Sequence, residues 1–120
     1  AKLKNIDEIE VWGDGNQKRS FLYIDDCIDA SMNLFNSSLR GPLNIGSEEM
    51  VTINEMINIL ENIADRKFKK KYLLDKPKGV KGRNSDNTLI KKGLNWEPKH
   101  SLNEGLKKTY NWIEEQIKNK

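Results

Sequence analysis

The chain has 120 residues, enough for one hydrophobic core and too few for two ordinary domains. Charged residues make up 32% and hydrophobic ones 36%, and no apolar run approaches the length of a membrane-spanning helix, which excludes a helical membrane protein. A net charge of +3 with acids interspersed among the lysines, one cysteine and one histidine exclude a disulfide framework, a histidine-rich metal site and a segregated basic tail for nucleic acid.

Residues 1–10 are charged throughout and carry no apolar stretch of the kind a secretory signal needs, so a cytoplasmic protein is expected. "IEVW" (9–12) alternates and is rich in strand formers, "GDGN" (13–16) makes a turn, and "RSFLYI" (19–24) is a second strand. These two segments pair as a hairpin or join a larger sheet. From an N-cap at Asp25 or Asp26, the spacing of Ile28, Met32 and Phe35 predicts an amphipathic helix that "SSLRGP" (37–42) stops.

"PLNIG" (42–46) is expected to be a brief buried strand. Thr52 and Glu55 then form a capping box that opens a helix with Ile53, Met56, Ile57, Leu60 and Ile63 on one face. "KFKKKY" (67–72) is the one dense cationic stretch; a solvated, lysine-rich edge strand over 69–75 explains it more simply than nucleic acid. Residues 76–87 read as a loop, and Ser85 or Asp86 caps a short helix over "TLIKKGL" that ends near Gly93. Ser101 and Glu104 make a second capping box before a helix carrying Leu102, Leu106, Tyr110, Ile113 and Ile117. Helices alternating with short strands place the chain in the α/β class.

Two arginines carry the candidate chemistry. Alternation from 19 to 23 puts Arg19, Phe21 and Tyr23 on one face, just beyond glycines that let a ligand approach the backbone. A planar, permanently charged fork suits the paired oxygens of a diphosphate, and it equally suits an ion pair with Asp25 or Asp26. Arg83 lies between Gly82 and a helix N-terminus, where it either meets an anion or decorates a surface loop.

The remaining reactive residues read as structural. Cys27 is a small buried hydrophobe, His100 an exposed loop residue, and Trp12, Trp96 and Trp112 are core or rim packing, with Trp12 near enough to the glycine turn to line a pocket. No G-x-G-x-x-G or P-loop is present, and the one Tyr-x-x-x-Lys spacing, Tyr72 to Lys76, runs into Pro77 where a helix is disfavoured.

Taken in order, "WGDGNQKRSFLYIDD", "LNIGSEEMVTINEM", "GRNSDNTLIKKGLNWEP" and "SLNEGLKKTYNWI" resemble the C-terminal portion of extended short-chain dehydrogenases, the NAD-dependent epimerases and dehydratases of nucleotide-sugars. The nearest branch is that of the GDP-mannose 3,5-epimerases; the broader family usually carries an aspartate where Ser20 stands, and "GRNSDN" is particular to this branch. The resemblance implies that Gln17, Lys18 and Arg19 lie along a nucleotide-sugar such as GDP-mannose, with Arg19 and Arg83 at the diphosphate and Asn44 supporting the cleft wall. It also implies an N-terminal Rossmann domain that holds NAD and the catalytic pair. On this reading the 120 residues bind no cofactor themselves and contain no catalytic residue, no turnover is expected of them alone, and the parent is a homodimer.

Overall fold

In the computed structural model, which describes residues 5–119, the chain runs β1 (Glu8–Trp12), β2 (Lys18–Arg19), α1 (Ile24–Phe35), β3 (Val51–Thr52), α2 (Ile53–Ala64), β4 (Lys69–Leu73), β5 (Gly82–Arg83), α3 (Thr88–Leu94) and α4 (Leu102–Lys118). The α/β class is as expected, built from short strands and four helices. Two small sheets organise it: β1 pairs with β4 in parallel, and β2 lies between antiparallel β3 and parallel β5.

The β1–β4 register explains the lysine run. Glu8 stands opposite Lys69 and Glu10 opposite Lys71, with ammonium-to-carboxylate distances of 3.8 and 3.9 Å. These exposed pairs contribute little to stability, but like charges opposite one another would oppose the pairing. Just past Glu10, on the opposite face of β1, Val11 is buried. Lys70, on the other face of its strand, donates to Asn58 of α2 at 2.7 Å.

The turn after β1 needs its glycines. Gly13 and Gly15 have φ of 78° and 74°, left-handed values that glycine adopts without strain. A Cβ on Gly15 would also overlap the Asn54 side chain. Asp14 closes the turn by accepting from the Asn16 N–H at 3.1 Å, and this bond holds its carboxyl below the usual range. The start of α2 is stitched to the turn: Asn54 N–H donates to Gly15 O at 3.0 Å and Ile53 N–H to Gln17 O at 3.2 Å.

Both capping boxes form. Thr52 Oγ1 accepts from Glu55 N–H at 3.1 Å while Glu55 Oε2 accepts from Thr52 N–H at 2.7 Å; Ser101 and Glu104 repeat the exchange at 3.3 and 2.9 Å. Thr52→Ala is expected to cost about 1 kcal/mol in urea denaturation, the typical effect of losing an N-cap. At its other end α2 buries Glu61, which accepts from Phe68 N–H at 2.9 Å and Lys67 Nζ at 3.1 Å and so fixes the approach to β4.

Several local expectations are corrected. β1 and "RSFLYI" do not form a hairpin, and β2 stops after two residues: Ser20 N–H still donates to Arg83 O at 3.2 Å, but among the described residues Phe21 to Tyr23 have no strand to pair with. "PLNIG" keeps the alternation of a strand without the pairing, because Leu43 and Ile45 pack on the core while Asn44 is exposed. Neither Asp25 nor Asp26 caps α1, whose N-cap is Tyr23 with no side-chain bond. The third helix covers "TLIKKGL" as expected, but its N-cap is Asn87 and not Ser85 or Asp86; Asp86 accepts from Thr88 N–H at 2.9 Å, and the helix runs one residue past Gly93 to a C-cap at Asn95, φ 50°. Gly93 serves packing instead, since a Cβ there would come within 2.8 Å of Leu39.

The core is small. Ala30, Ile90 and Trp96 are its centre, joined by Leu22, Leu43, Ile45 and Leu94. The molecule is a slab of 51 × 36 × 21 Å with a radius of gyration of 16.9 Å, against about 14 Å for a compact domain of this length. Apolar side chains accordingly stand open: Ile24, Ile28, Met32 and Phe35 form a stripe along α1, with Phe35 82% exposed, and Trp112, Ile113 and Ile117 another on α4. Among the described residues no helix is long and apolar enough to cross a membrane.

Candidate functional site

A cleft of about 380 Å³ opens where β2 and β5 end, walled by the backbone from Asn44 to Ser47 and by Arg83 to Ser85. The β2–β5 register sets Arg19 directly beside Arg83. Partners in a parallel pair point to the same face, so the two guanidinium-bearing side chains come from adjacent strands into one cleft.

Neither Asp25 nor Asp26 pairs with Arg19. Its Nη1 donates to Lys18 O at 2.7 Å and Val80 O at 2.8 Å, and its Nη2 to Lys78 O at 3.1 Å. Carbonyls orient the fork without cancelling its charge, whereas a carboxylate would neutralise it. Among the described residues neither Arg19 nor Arg83 has an acidic partner, and the cleft therefore carries uncompensated positive charge suited to an anion.

The opposite wall is held by Asn87, a residue whose part was not visible in the sequence. It is buried, donates through Nδ2 to Gly46 O at 2.8 Å and accepts through Oδ1 from Ser85 Oγ at 2.6 Å. Ser85 N–H donates to Ser47 O at 3.2 Å, and a Cβ on Gly46 would meet Ser85 Cβ at 2.5 Å, so two loops far apart in sequence touch only because residue 46 has no side chain. Gly46→Ala is expected to destabilise the fold by about 1–3 kcal/mol, measured by chemical denaturation, as overpacking does elsewhere.

The five residues singled out from the sequence separate into two groups. Arg19, Arg83 and Asn44 line the cleft, Asn44 also donating to Asp86 O at 3.4 Å. Lys18 lies on the opposite face of β2, where it contributes to keeping the Glu55 carboxyl low after the Thr52 bonds. Gln17 reaches back across the turn, Nε2 donating to Trp12 O at 2.9 Å, with Oε1 buried and unpartnered. The start of α3 does not add to the anion site, because Asp86 takes Thr88 N–H and Glu48 accepts from Asn87 N–H at 3.3 Å.

Beside this cleft lies a larger apolar groove of about 680 Å³, between α4 and the segment that runs from Phe21 into the first residues of α1, with Leu102, Leu106 and Trp112 on its far wall. Its edge holds a polar brace. Asp26, 2% exposed, accepts from His100 N–H at 3.0 Å and contacts His100 Nδ1 at 2.9 Å; burial pushes its carboxyl up, but the His100 bonds outweigh burial and hold it low. His100 is thus no exposed loop residue: it stacks edge-on to Tyr23 at 4.8 Å and its Nε2 lies 2.8 Å from Lys108 Nζ. One turn along α1, Asp29 accepts from Trp96 Nε1 at 2.9 Å. Two acids one helical turn apart therefore clamp the connection that leads into α4.

Tyr72 and Lys76 do not form a reactive pair. Tyr72 belongs to β4 and donates its hydroxyl to Asn54 at 2.9 Å, while Lys76 sits in the turn beyond.

The GDP-mannose 4,6-dehydratase family model matches residues 1–109. GDP-mannose 3,5-epimerase 1 of Oryza sativa subsp. indica is 50% identical over 113 residues, which cover 94% of this chain and 30% of the relative. Among solved structures, UDP-glucose 4-epimerase of Thermotoga maritima with UDP-glucose superposes with a TM-score of 0.86 at 30% identity, over 92% of this chain and 36% of that one. UDP-glucuronic acid 4-epimerase of Bacillus cereus, in complex with UDP-glucuronic acid and NAD, gives 0.83 at 30% identity, over 91% and 36%. The chain thus spans about a third of the length of the proteins it matches.

Proposed function

Because the chain belongs to the GDP-mannose 4,6-dehydratase family of extended short-chain dehydrogenases, we propose that it forms the nucleotide-sugar-binding part of an NAD-dependent epimerase whose substrate is GDP-mannose. The observation that carries this reading is the placement of Arg19 beside Arg83, both without an acidic partner among the described residues, in a cleft of about 380 Å³. A diphosphate presents paired oxygens to two such forks, and bidentate arginine contacts fix orientation as well as charge. GDP-mannose is preferred over other nucleotide-sugars because the 3,5-epimerase of Oryza sativa subsp. indica, named for that substrate, shares half its aligned residues with this chain.

NAD does not fit the residues present. The glycine turn at 13–15 is closed by Asn54 instead of opening a helix, and the Tyr72–Lys76 spacing falls on a strand and a turn. A Rossmann domain elsewhere in the parent is proposed to hold the cofactor and to cover the apolar groove and the open stripes of α1 and α4; the slab shape and the exposure of Trp112 at 61% support such a covering. Selecting and positioning the substrate is the share of catalysis assigned to these residues.

Isothermal titration of the chain with GDP-mannose and with UDP-glucose tests the substrate assignment. Tighter binding of the guanosine compound is expected. Equal affinity, or preference for UDP-glucose, would overturn it while leaving the diphosphate cleft itself in place.

A further inference from the structure

The loop that leads into β5 approaches Arg19 in an unusual way. Lys78 and Val80 both turn their carbonyls onto the guanidinium, and between them Gly79 adopts φ 67°. A Cβ on Gly79 would lie 3.1 Å from Arg19 Nη2. The glycine therefore meets two demands at once: the left-handed backbone that aims the carbonyls of the residues on either side of it at one side chain, and the space for the fork to sit against the backbone.

We infer that the Lys78–Gly79–Val80 turn is a positioning element for Arg19 and that Gly79 is its key residue, holding the guanidinium ready for the diphosphate. This rests on the diphosphate reading of the cleft. Three of the five N–H donors of the fork are engaged by carbonyls of Lys18, Lys78 and Val80, and the others are left for an anion. Because the carbonyls are neutral, they fix the side chain without spending its charge. A guanidinium already fixed loses less rotamer freedom when it binds, so affinity rises by preorganisation. The turn acts through Arg19 and need not touch the ligand.

The test is a double-mutant cycle on the intact chain, read by titration with GDP, which presents the diphosphate alone. Gly79→Ala in the otherwise unchanged chain is expected to weaken binding about tenfold, the equivalent of one charge-assisted hydrogen bond, and to shift the Arg19 side-chain NMR signals before any ligand is added. In an Arg19→Ala background the same change should have no further effect on affinity. Gly41→Ala controls for backbone strain, since Gly41 has φ 101° with nothing within 4 Å of its Cβ position, and it should leave GDP affinity unchanged. If Gly79→Ala does not fold, Gly79→Asn carries the same expectations, because asparagine tolerates the left-handed backbone yet still presents a Cβ to Arg19. An unchanged affinity in the glycine variant, or an equal loss with and without Arg19, overturns the positioning role. A silent Arg19→Ala overturns the diphosphate reading first, and the positioning role with it.

Discussion

Replacing Arg19 with alanine is expected to weaken binding of GDP-mannose by about 10–100-fold, the range expected for losing charge-assisted hydrogen bonds from a held guanidinium. Arg83→Ala should cost less, about 3–10-fold, because Arg83 is exposed and an exposed charge is screened by water and salt. The two losses should not add if, as proposed, both arginines address one diphosphate from adjacent strands. Lys18→Ala is the informative contrast. It removes the same charge one residue away, on the opposite strand face, so a change of no more than about twofold is expected, and that small change should vanish as salt is raised. Titration of the three variants at low and moderate salt measures all of this. Equal losses for Lys18 and Arg19 would mean that net charge, and not the geometry of the cleft, governs binding.

The largest expected effect on stability comes from Asp26. Its carboxylate accepts from His100 N–H and contacts the imidazole at 2.9 Å while only 2% exposed. Asp26→Ala leaves those His100 groups without their partner and is expected to cost about 3 kcal/mol in chemical denaturation at pH 7. A chain with a small core has little stability to spare, since typical domains have only about 5–15 kcal/mol. The same site sets a pH dependence. The folded-state carboxyl lies below its ordinary value of 3.8, so the folded state binds the proton more weakly than the unfolded state does. The stabilisation is therefore complete above the unfolded value and is lost as pH falls through the folded one. In Asp26→Asn the acid limb of the stability profile should be shallower than in the parent chain. Asp14, Glu55, Glu61, Asp86 and Glu104, all also held low by hydrogen bonds, preserve part of that slope.

What could be read in the sequence was what is local. Thr52 with Glu55 and Ser101 with Glu104 announce two helices because each box closes within three residues. The strands were harder because pairing is a property of two segments. "RSFLYI" and "PLNIG" carry strand composition, yet a strand forms only where a neighbour offers its backbone, and β2 finds β3 and β5 for two residues alone.

The candidate site divides in the same way. Arg19 and Arg83 stand out by residue type, and their adjacency comes from a register between segments 64 positions apart, with 83 minus 19 giving the separation. Gln17 and Lys18 share the motif of Arg19 but not its direction, because one lies in the turn and the other points to the opposite face. Asp26 and His100 each read locally, as a helix cap and a loop side chain, because the partner of each lies 74 residues away. Gly46 and Asn87 gave a weaker signal: a glycine ending an apolar run and an asparagine at a helix start read as ordinary punctuation until the two loops meet.

Whether Arg19 and Arg83 grip one diphosphate is decided by amide NMR titration of this chain with GDP-mannose. Shifts confined to residues 18–20, 44–47 and 82–85, and fading in Arg83→Ala, are the predicted result. Shifts centred instead on the apolar groove at Tyr23 and Trp112, or an unchanged spectrum at millimolar ligand, would contradict it.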